Sequence, residues 1–463
     1  MRRSRKLRTP HKTGSQGPAC QGGRVNSFPM NENLGTTPLA SVSPRRPMVR
    51  SRVCAAAFVA GVLWAVAPVV AADALAPVLT LNHVLARVAT AHPQMQRARA
   101  EVEVSRQQLE GARWGRFPTV TIGAAGGDGV TTAGTFRVQQ PVFTFGRTDH
   151  AIDAAQAALE ANTSGVGLAR RGLIERAALA YARWLAGLQQ LELADRHVAR
   201  QQELLEFIAR RADGGMAARG DTRLAQGRLD QARARAAAIG VTVSQARAEL
   251  ESLMLTRITA RPVLPTLPAF GFASVEPLAS AFVDASPALE RLTGQQRAAS
   301  AEASLKGADR LPVLVARIER APNLLTSHYD TRTLLAVDYQ SGAGLSAQSE
   351  YLARLGRVDA VRAEIDAQRR ELELLAGSLW LQRAALREQG SAIDGLVSSS
   401  ADTVESFMRQ FDAGRRSWLD VLNAERELFD ARLAKAQIDA SLRDVEIRMH
   451  SGIGTLDAMA DKP

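Results

Sequence analysis

The chain carries its own copy. Pro93 is followed 25 residues later by Pro118, and Pro287 is followed 25 residues later by Pro312. Further along, Gly215 precedes Asp221 by six residues, and Gly414 precedes Asp420 by six. The copies are offset by 194 residues at the prolines and by 199 at the glycines. Punctuation repeated at matched spacing marks an internal duplication. Each copy reads as a helix, a pair of strands and a long helical hairpin, so the chain is expected to fold as one pseudo-symmetric body.

Residues 142–261 and 323–462 contain no proline. Both windows are rich in Ala, Leu, Arg, Glu and Gln, the strong helix formers, and lack the residue that breaks helices. Leu173, Ala177, Ala180, Trp184, Leu188, Leu191, Val198, Leu205 and Ile208 recur at steps of three and four or their sums, a coiled-coil-like seam. The first helix is expected from about Thr148 to Arg211, roughly 95 Å at 1.5 Å per residue. A turn at Asp213-Gly214-Gly215 and a return to about Met254 complete the first hairpin. The second is expected from about Ser346 to Phe411, with a turn at Ala413-Gly414 and a return from Trp418 to about Met449. Helices this long cannot wrap a single globular core and must pack side by side.

Short strands precede each hairpin: Pro118–Ala124 and Thr135–Phe143 in copy one, Pro312–Ile318 and Arg332–Tyr339 in copy two. Val120, Ile122, Ala124, Phe136 and Val138 alternate with Thr121, Arg137 and Gln139; Leu335, Val337 and Tyr339 alternate with Ala336 and Asp338. Such segments are long enough to cross a membrane as barrel strands. Four strands cannot close a barrel, and open edges do not survive in lipid, so several chains would have to share one; three give twelve strands. The other reading of the same pattern is a four-stranded sheet capping a soluble coiled coil. The glycine-rich stretch Gly123–Gly134 reads as an exposed loop or turn.

The net charge of +11 and the pI near 10.4 suggest nucleic acid only until the charges are placed. Residues 1–72 hold 11 of the 58 basic residues and one of the 47 acidic ones, leaving a nearly neutral body with no footprint for nucleic acid. Met48–Arg52 is a basic segment, Val53–Ala67 an apolar one, and Val70-Ala71-Ala72 offers small residues for cleavage, the pattern of a secretory signal peptide. The expected organisation is a mis-called or disordered leader at 1–47, a signal peptide at 48–72, a first repeat at 73–260, a linker at 261–278, a second repeat at 279–453 and an unstructured tail at 454–463. Cys20 and Cys54 both fall in the discarded part, so no disulfide or thiolate site is expected. The histidines are scattered without ligand spacing. No triad or carboxylate pair points to an enzyme, and no cofactor is implied.

Phe136–Ala155 (FRVQQPVFTFGRTDHAIDAA) resembles the strand-to-helix signature of the TolC family of outer-membrane channels. Phe411–Ala434 resembles the turn of that family's second helical hairpin, and Gly214–Ala234, more weakly, that of the first. The resemblance spans about Leu79 to Ile453. It implies a mainly α fold with a small β part: long coiled-coil hairpins forming a periplasmic tunnel, and four strands per chain contributing to a trimeric 12-stranded outer-membrane β-barrel.

Carried over by position, the resemblance assigns a periplasmic gate to Asp221, Phe411, Arg416 and Asp420. Asp221–Arg416 is its expected latch, since Phe411 lacks the hydroxyl of the family's tyrosine. Asp420 matches a lumenal carboxylate ring, whose second member is Asn423 here. Both aspartates also read as ordinary residues of a helix first turn. Gly215, Gly414, Leu419 and Leu422 would lie where an adaptor docks, the leucines being equally readable as core. Pro118, Pro141, Gly146 and Pro312 mark strand–helix junctions. The implied partners are two further copies in a homotrimer, a periplasmic adaptor (membrane fusion) protein, an inner-membrane ABC transporter or RND pump, and outer-membrane lipid. The run Thr144–Arg147 favours type I secretion of a large adhesin or toxin; drug or metal efflux and a non-channel periplasmic scaffold are the alternatives.

Overall fold

Thr80 caps the first helix with its side chain and Ser286 caps a later one the same way, each just ahead of an apolar face. The computed structural model describes residues 78–127, 130–322, 328–339, 342–344 and 346–462, and the leader and signal peptide read at 1–72 lie outside them. The first copy runs β1 (Val78–Leu79), α1 (Leu81–Ala91), α2 (Pro93–Trp114), β2 (Thr119–Gly127), β3 (Val130–Phe143), α3 (Arg147–Asp213) and α4 (Arg219–Met254). After β4 (Arg261–Pro262), the second runs α5 (Val275–Asp284), α6 (Pro287–Ala308), β5 (Val313–Pro322), β6 (Tyr329–Asp338), α7 (Ser346–Asp412) and α8 (Trp418–Gly452); α9 (Thr455–Ala460) follows.

The duplication is carried into the helix lengths. Pro93 and Pro287 stand at the first turns of helices of 22 residues each, where the missing N–H costs nothing. The hairpins' long arms, α3 and α7, are 67 residues each, and the return arms 36 and 35. The change of offset from 194 to 199 arises at the second strand and the junction after it, which is longer between β6 and α7 than between β3 and α3.

In one half of the helical body the packing order is α2–α3–α6–α7; in the other it is α4–α3–α8–α7. One edge is therefore α2 and α4 in series, and the other is α7. The α3 seam is buried where expected: Leu173, Ala177, Ala180, Trp184 and Ile208 are core, with Leu188, Leu191 and Leu205 packed against it. Backbones approach most closely at Gly294 of α6, where an added Cβ would lie 2.8 Å from Ala161 Cα of α3.

β2–β3–β5–β6 form one antiparallel sheet, with β2 and β6 at its edges. Pro118 and Pro312 immediately precede β2 and β5, while Pro141 sits beside a register slip in β3. Gly146 (φ 82°) caps α3 in the left-handed region that glycine tolerates.

Four expectations are corrected. Gly123–Gly134 is mostly strand, paired as Gly123↔Thr135 and Ala124↔Gly134, with residues 128 and 129 outside the described ones. Small residues suit a strand when both partners are paired. The stretch read as a linker holds β4 and the first turn of α5. The tail after Gly454 is helical, burying Leu456 and tying Asp457 to Arg171 at 2.9 Å. Finally, β1 and β4 pair in parallel around the fully buried Tyr181.

The Tyr181 hydroxyl lies 2.9 Å from the Leu79 carbonyl and 2.5 Å from that of Val263, and accepts from the Val263 N–H at 2.9 Å. Tyr181→Phe leaves these groups without that partner and is expected to cost about 1–2 kcal/mol, read as a lowered melting temperature with the far-UV spectrum unchanged.

Candidate functional site at the hairpin tips and the sheet

Both hairpins turn by the same device. Met216 N–H donates to Arg211 O and Gly215 N–H to Ala212 O; Arg415 N–H donates to Gln410 O and Gly414 N–H to Phe411 O. These are paired Schellman motifs, with Gly215 (φ 73°) and Gly414 (φ 69°) supplying the left-handed residue. Asp221 and Asp420 then fall at the same position, third in α4 and α8, where a carboxylate faces the free N–H groups of a helix start.

The copies differ in how that position is used. Ser417 and Asp420 form a complete capping box, and Asp420 also approaches Arg416 at 3.8 Å. In copy one the cap is Ala218, which has no side-chain acceptor, so Asp221 has no reciprocal partner. The spacing Ser417-x-x-Asp420 carried this signal in the sequence. The expected Asp221–Arg416 latch is not made within the chain. Arg416 instead donates to Gln410 at 3.1 Å and lies 3.9 Å over the Phe407 ring.

Phe411 joins an aromatic cluster in place of a hydrogen bond. Its ring lies 5.0 Å from Trp418 and 6.2 Å from Phe207, with the Arg211 guanidinium 4.9 Å above it. Leu422 is buried (1% exposed) in the core beneath this cluster, which corrects its expected role as an adaptor contact. Leu419, three residues earlier, is on the outer face at 46%.

Above the tips, α3, α4 and α8 enclose a groove of about 730 Å³. Arg228 donates to Asn423 at 3.2 Å and Arg235 pairs with Asp430 at 2.7 Å, two rungs seven residues apart on both helices. Asn423 is thereby engaged by α4. Arg200 donates to Glu425, whose side chain is 6% exposed. These residues escaped the sequence reading, although the shared seven-residue spacing was visible.

His197 stacks flat on Phe429 at 4.1 Å, with Arg235 over the same ring at 5.0 Å. Burial, and then Arg235, hold its imidazole down to about 4 against the opposing pull of Asp430. Between pH 6.5 and about 4 the unfolded chain takes up a proton that the folded chain refuses, so stability is complete above 6.5 and falls as pH drops. The expected loss is about 1 kcal/mol by pH 5, after allowance for partial exposure. Melting temperatures at pH 7.5 and 5 check this: His197→Gln should remove that increment.

The sheet has two unlike faces. One carries Val120, Ile122, Phe136, Ile318, Leu335 and Val337, all exposed in the single chain. The other carries Arg137–Glu319 at 2.9 Å, Arg317–Asp338 at 2.6 Å and Gln139 bonded to both members of the latter pair. Exposed Trp114, Phe117, Phe143, Phe145 and Tyr339 rim the helix end of the sheet, and Tyr329 stands at the far end beneath Arg320. Among the described residues no group of His, Cys, Asp and Glu is placed to hold a metal.

Residues 84–254 match the model of a family described as outer membrane efflux protein. The chain belongs to the outer membrane efflux protein family. Members are outer-membrane proteins, and so is this chain. The fold of this efflux-family chain is that of solved channels. It is similar to the outer-membrane channel OprN (18% identity, 81% of this chain and 89% of that one, TM-score 0.71). It is also similar to VceC from Vibrio cholerae (15%, 81% and 96%, TM-score 0.69) and to the CmeC channel of Campylobacter jejuni (13%, 81% and 85%, TM-score 0.69). No curated protein matches this efflux-family chain in sequence.

Proposed function

We propose that three copies close one 12-stranded barrel in the outer membrane, continued by a tunnel of twelve helices in the periplasm, and that this assembly is a passive exit duct. The observation that carries this is the open sheet with one apolar and one polar face. Its edges, β2 and β6, present unpaired backbone groups that lipid cannot satisfy. β2 lies on the same side of the chain as α2 and α4, and β6 on the side of α7. A head-to-tail contact joining those two sides closes into a ring if repeated. Leu352, Leu374, Leu381 and Leu396, exposed on α7, supply apolar surface for it. The apolar sheet face then meets lipid between two aromatic rims, and the polar face lines water. No described helix is long and apolar enough to cross a membrane, so the sheet is the candidate for crossing.

An adaptor and an inner-membrane pump would open the tip entrance and supply the energy. The hairpin turns at Gly215 and Gly414, with Leu419 beside them, are the candidate docking points, and Asp221, Arg416 and Asp420 the candidate polar groups of the entrance. For cargo, the Thr144–Arg147 junction, with Phe145 (φ 49°) and Gly146 in the left-handed region, supports the type I branch, an ABC transporter and a large secreted protein. The family's description as efflux proteins favours a second reading, export of drugs or metals with an RND pump. Comparing the secreted proteome and the drug and metal tolerance of a deletion strain with its parent separates them. Loss of one very large extracellular protein with unchanged tolerance supports secretion; new sensitivity with an unchanged secretome moves the chain to efflux.

A further inference from the structure

We propose that the two hairpins of one chain move as a single body, and that the entrance opens at the seams between chains. This rests on the reading of the chain as a trimeric duct. Four arginines of the first hairpin reach the second. Arg200 meets Glu425 at 2.7 Å, Arg211 meets Asp412 at 3.3 Å, Arg228 meets Asn423 at 3.2 Å and Arg235 meets Asp430 at 2.7 Å. They are spread along the hairpins, so no single pivot relieves all of them. Gln190 adds a bond to Gln437 at 3.1 Å, and Gln189 one from Arg443 at 2.8 Å.

Desolvation makes these links hard to exchange for water. Glu425 is buried, and separation would strand its carboxylate away from Arg200. Arg211 is held at the same time by the Phe207 and Phe411 rings and by Asp412. Beneath it, Leu204, Ile208 and Ala225 of the first hairpin share one core with Trp418, Val421 and Leu422 of the second. His197 lies against Phe429 across the same joint. The outer edges of the unit are different. Asp221, the carboxylate expected to latch the hairpins, makes no ion pair within the chain, and Arg416 is occupied by Asp420 and Gln410 of its own hairpin. The dense, desolvated contacts thus run within the chain, and the free polar groups of the tip remain for its neighbours.

A reversible cross-link tests this. With Cys20 and Cys54 changed to serine, Arg235→Cys with Asp430→Cys, and separately Gln190→Cys with Gln437→Cys, is joined in cells by a short bis-methanethiosulfonate. Loss of free thiols on a monomer-sized denatured band verifies the intrachain link. Whichever export phenotype the deletion reveals is then scored. Linked chains are expected to retain at least about half of the unlinked export rate. A fall below about a tenth in both pairs, restored by reduction, would show that the hairpins must part and would overturn the proposal. If the unlinked parent neither restores export nor forms pores, it is the duct reading that fails, a result distinct from either outcome.

Discussion

Leu335→Arg is expected to abolish assembly in the outer membrane, while a charge one residue away is tolerated. Leu335 lies on the apolar face, 65% exposed, opposite Ala316 and near the middle of β6. An arginine facing lipid at the midplane costs about 2–4 kcal/mol, and a trimer would carry three. Leu334 projects to the polar face, where its cross-strand partner is Arg317. Leu334→Glu therefore adds a compensated charge facing water, worth a few tenths of a kcal/mol in either direction. Quantifying each variant in outer-membrane fractions checks the pair. Equal recovery of both would mean that the two faces do not meet different solvents, and the barrel would have to be given up.

Gly294→Leu is expected to be the most damaging single change in the helical body. The site is where α6 and α3 come closest, and an added Cβ would meet Ala161 Cα at 2.8 Å, its Cβ at 2.9 Å and its N at 3.0 Å. Two of these are backbone atoms, so no side-chain rotation makes room and the helices must separate. Overpacking of this kind costs about 1–3 kcal/mol, and more when backbone must yield. Gly111→Leu, at an exposed α2 glycine with nothing within 4 Å of an added Cβ, serves as the control and should gain slightly from better helix propensity. Chemical denaturation of the two proteins compares them; a Gly294→Leu chain as stable as the control would show that the contact between α3 and α6 is looser than the geometry states.

Much of this fold was legible because it is written in residues with one physical meaning. Proline at 93, 118, 287 and 312 can sit only before or at the start of an element, and glycine at 215 and 414 supplies the left-handed turn that a Schellman motif needs. The seam from Leu173 to Ile208 identified the buried face of α3 because a long helix repeats its period many times. The short elements failed for the converse reason. α9 has six residues and β1 and β4 two each, too few to show a period, and their existence depends on distant partners such as Arg171 and Tyr181.

At the tips, sequence placed the turns but not the bonds. Leu419 and Leu422 lie three residues apart on one helix, and only packing tells which faces the core. Arg416 had equally plausible partners, and the nearer one, on its own helix, was chosen. The links between hairpins join residues about 195–225 positions apart, as in Arg228–Asn423 and Arg200–Glu425, where no local pattern reports the pairing.

The central claim is that this chain forms a pore only as several copies sharing one barrel. Extracting the protein from outer membranes in mild detergent, measuring its native mass and fusing the same fraction into planar bilayers tests that claim most directly. A trimer that yields stepwise conductance is the expected result. A monomer recovered from the aqueous fraction, or a trimer that leaves bilayers silent even after its tip residues are removed, would contradict it.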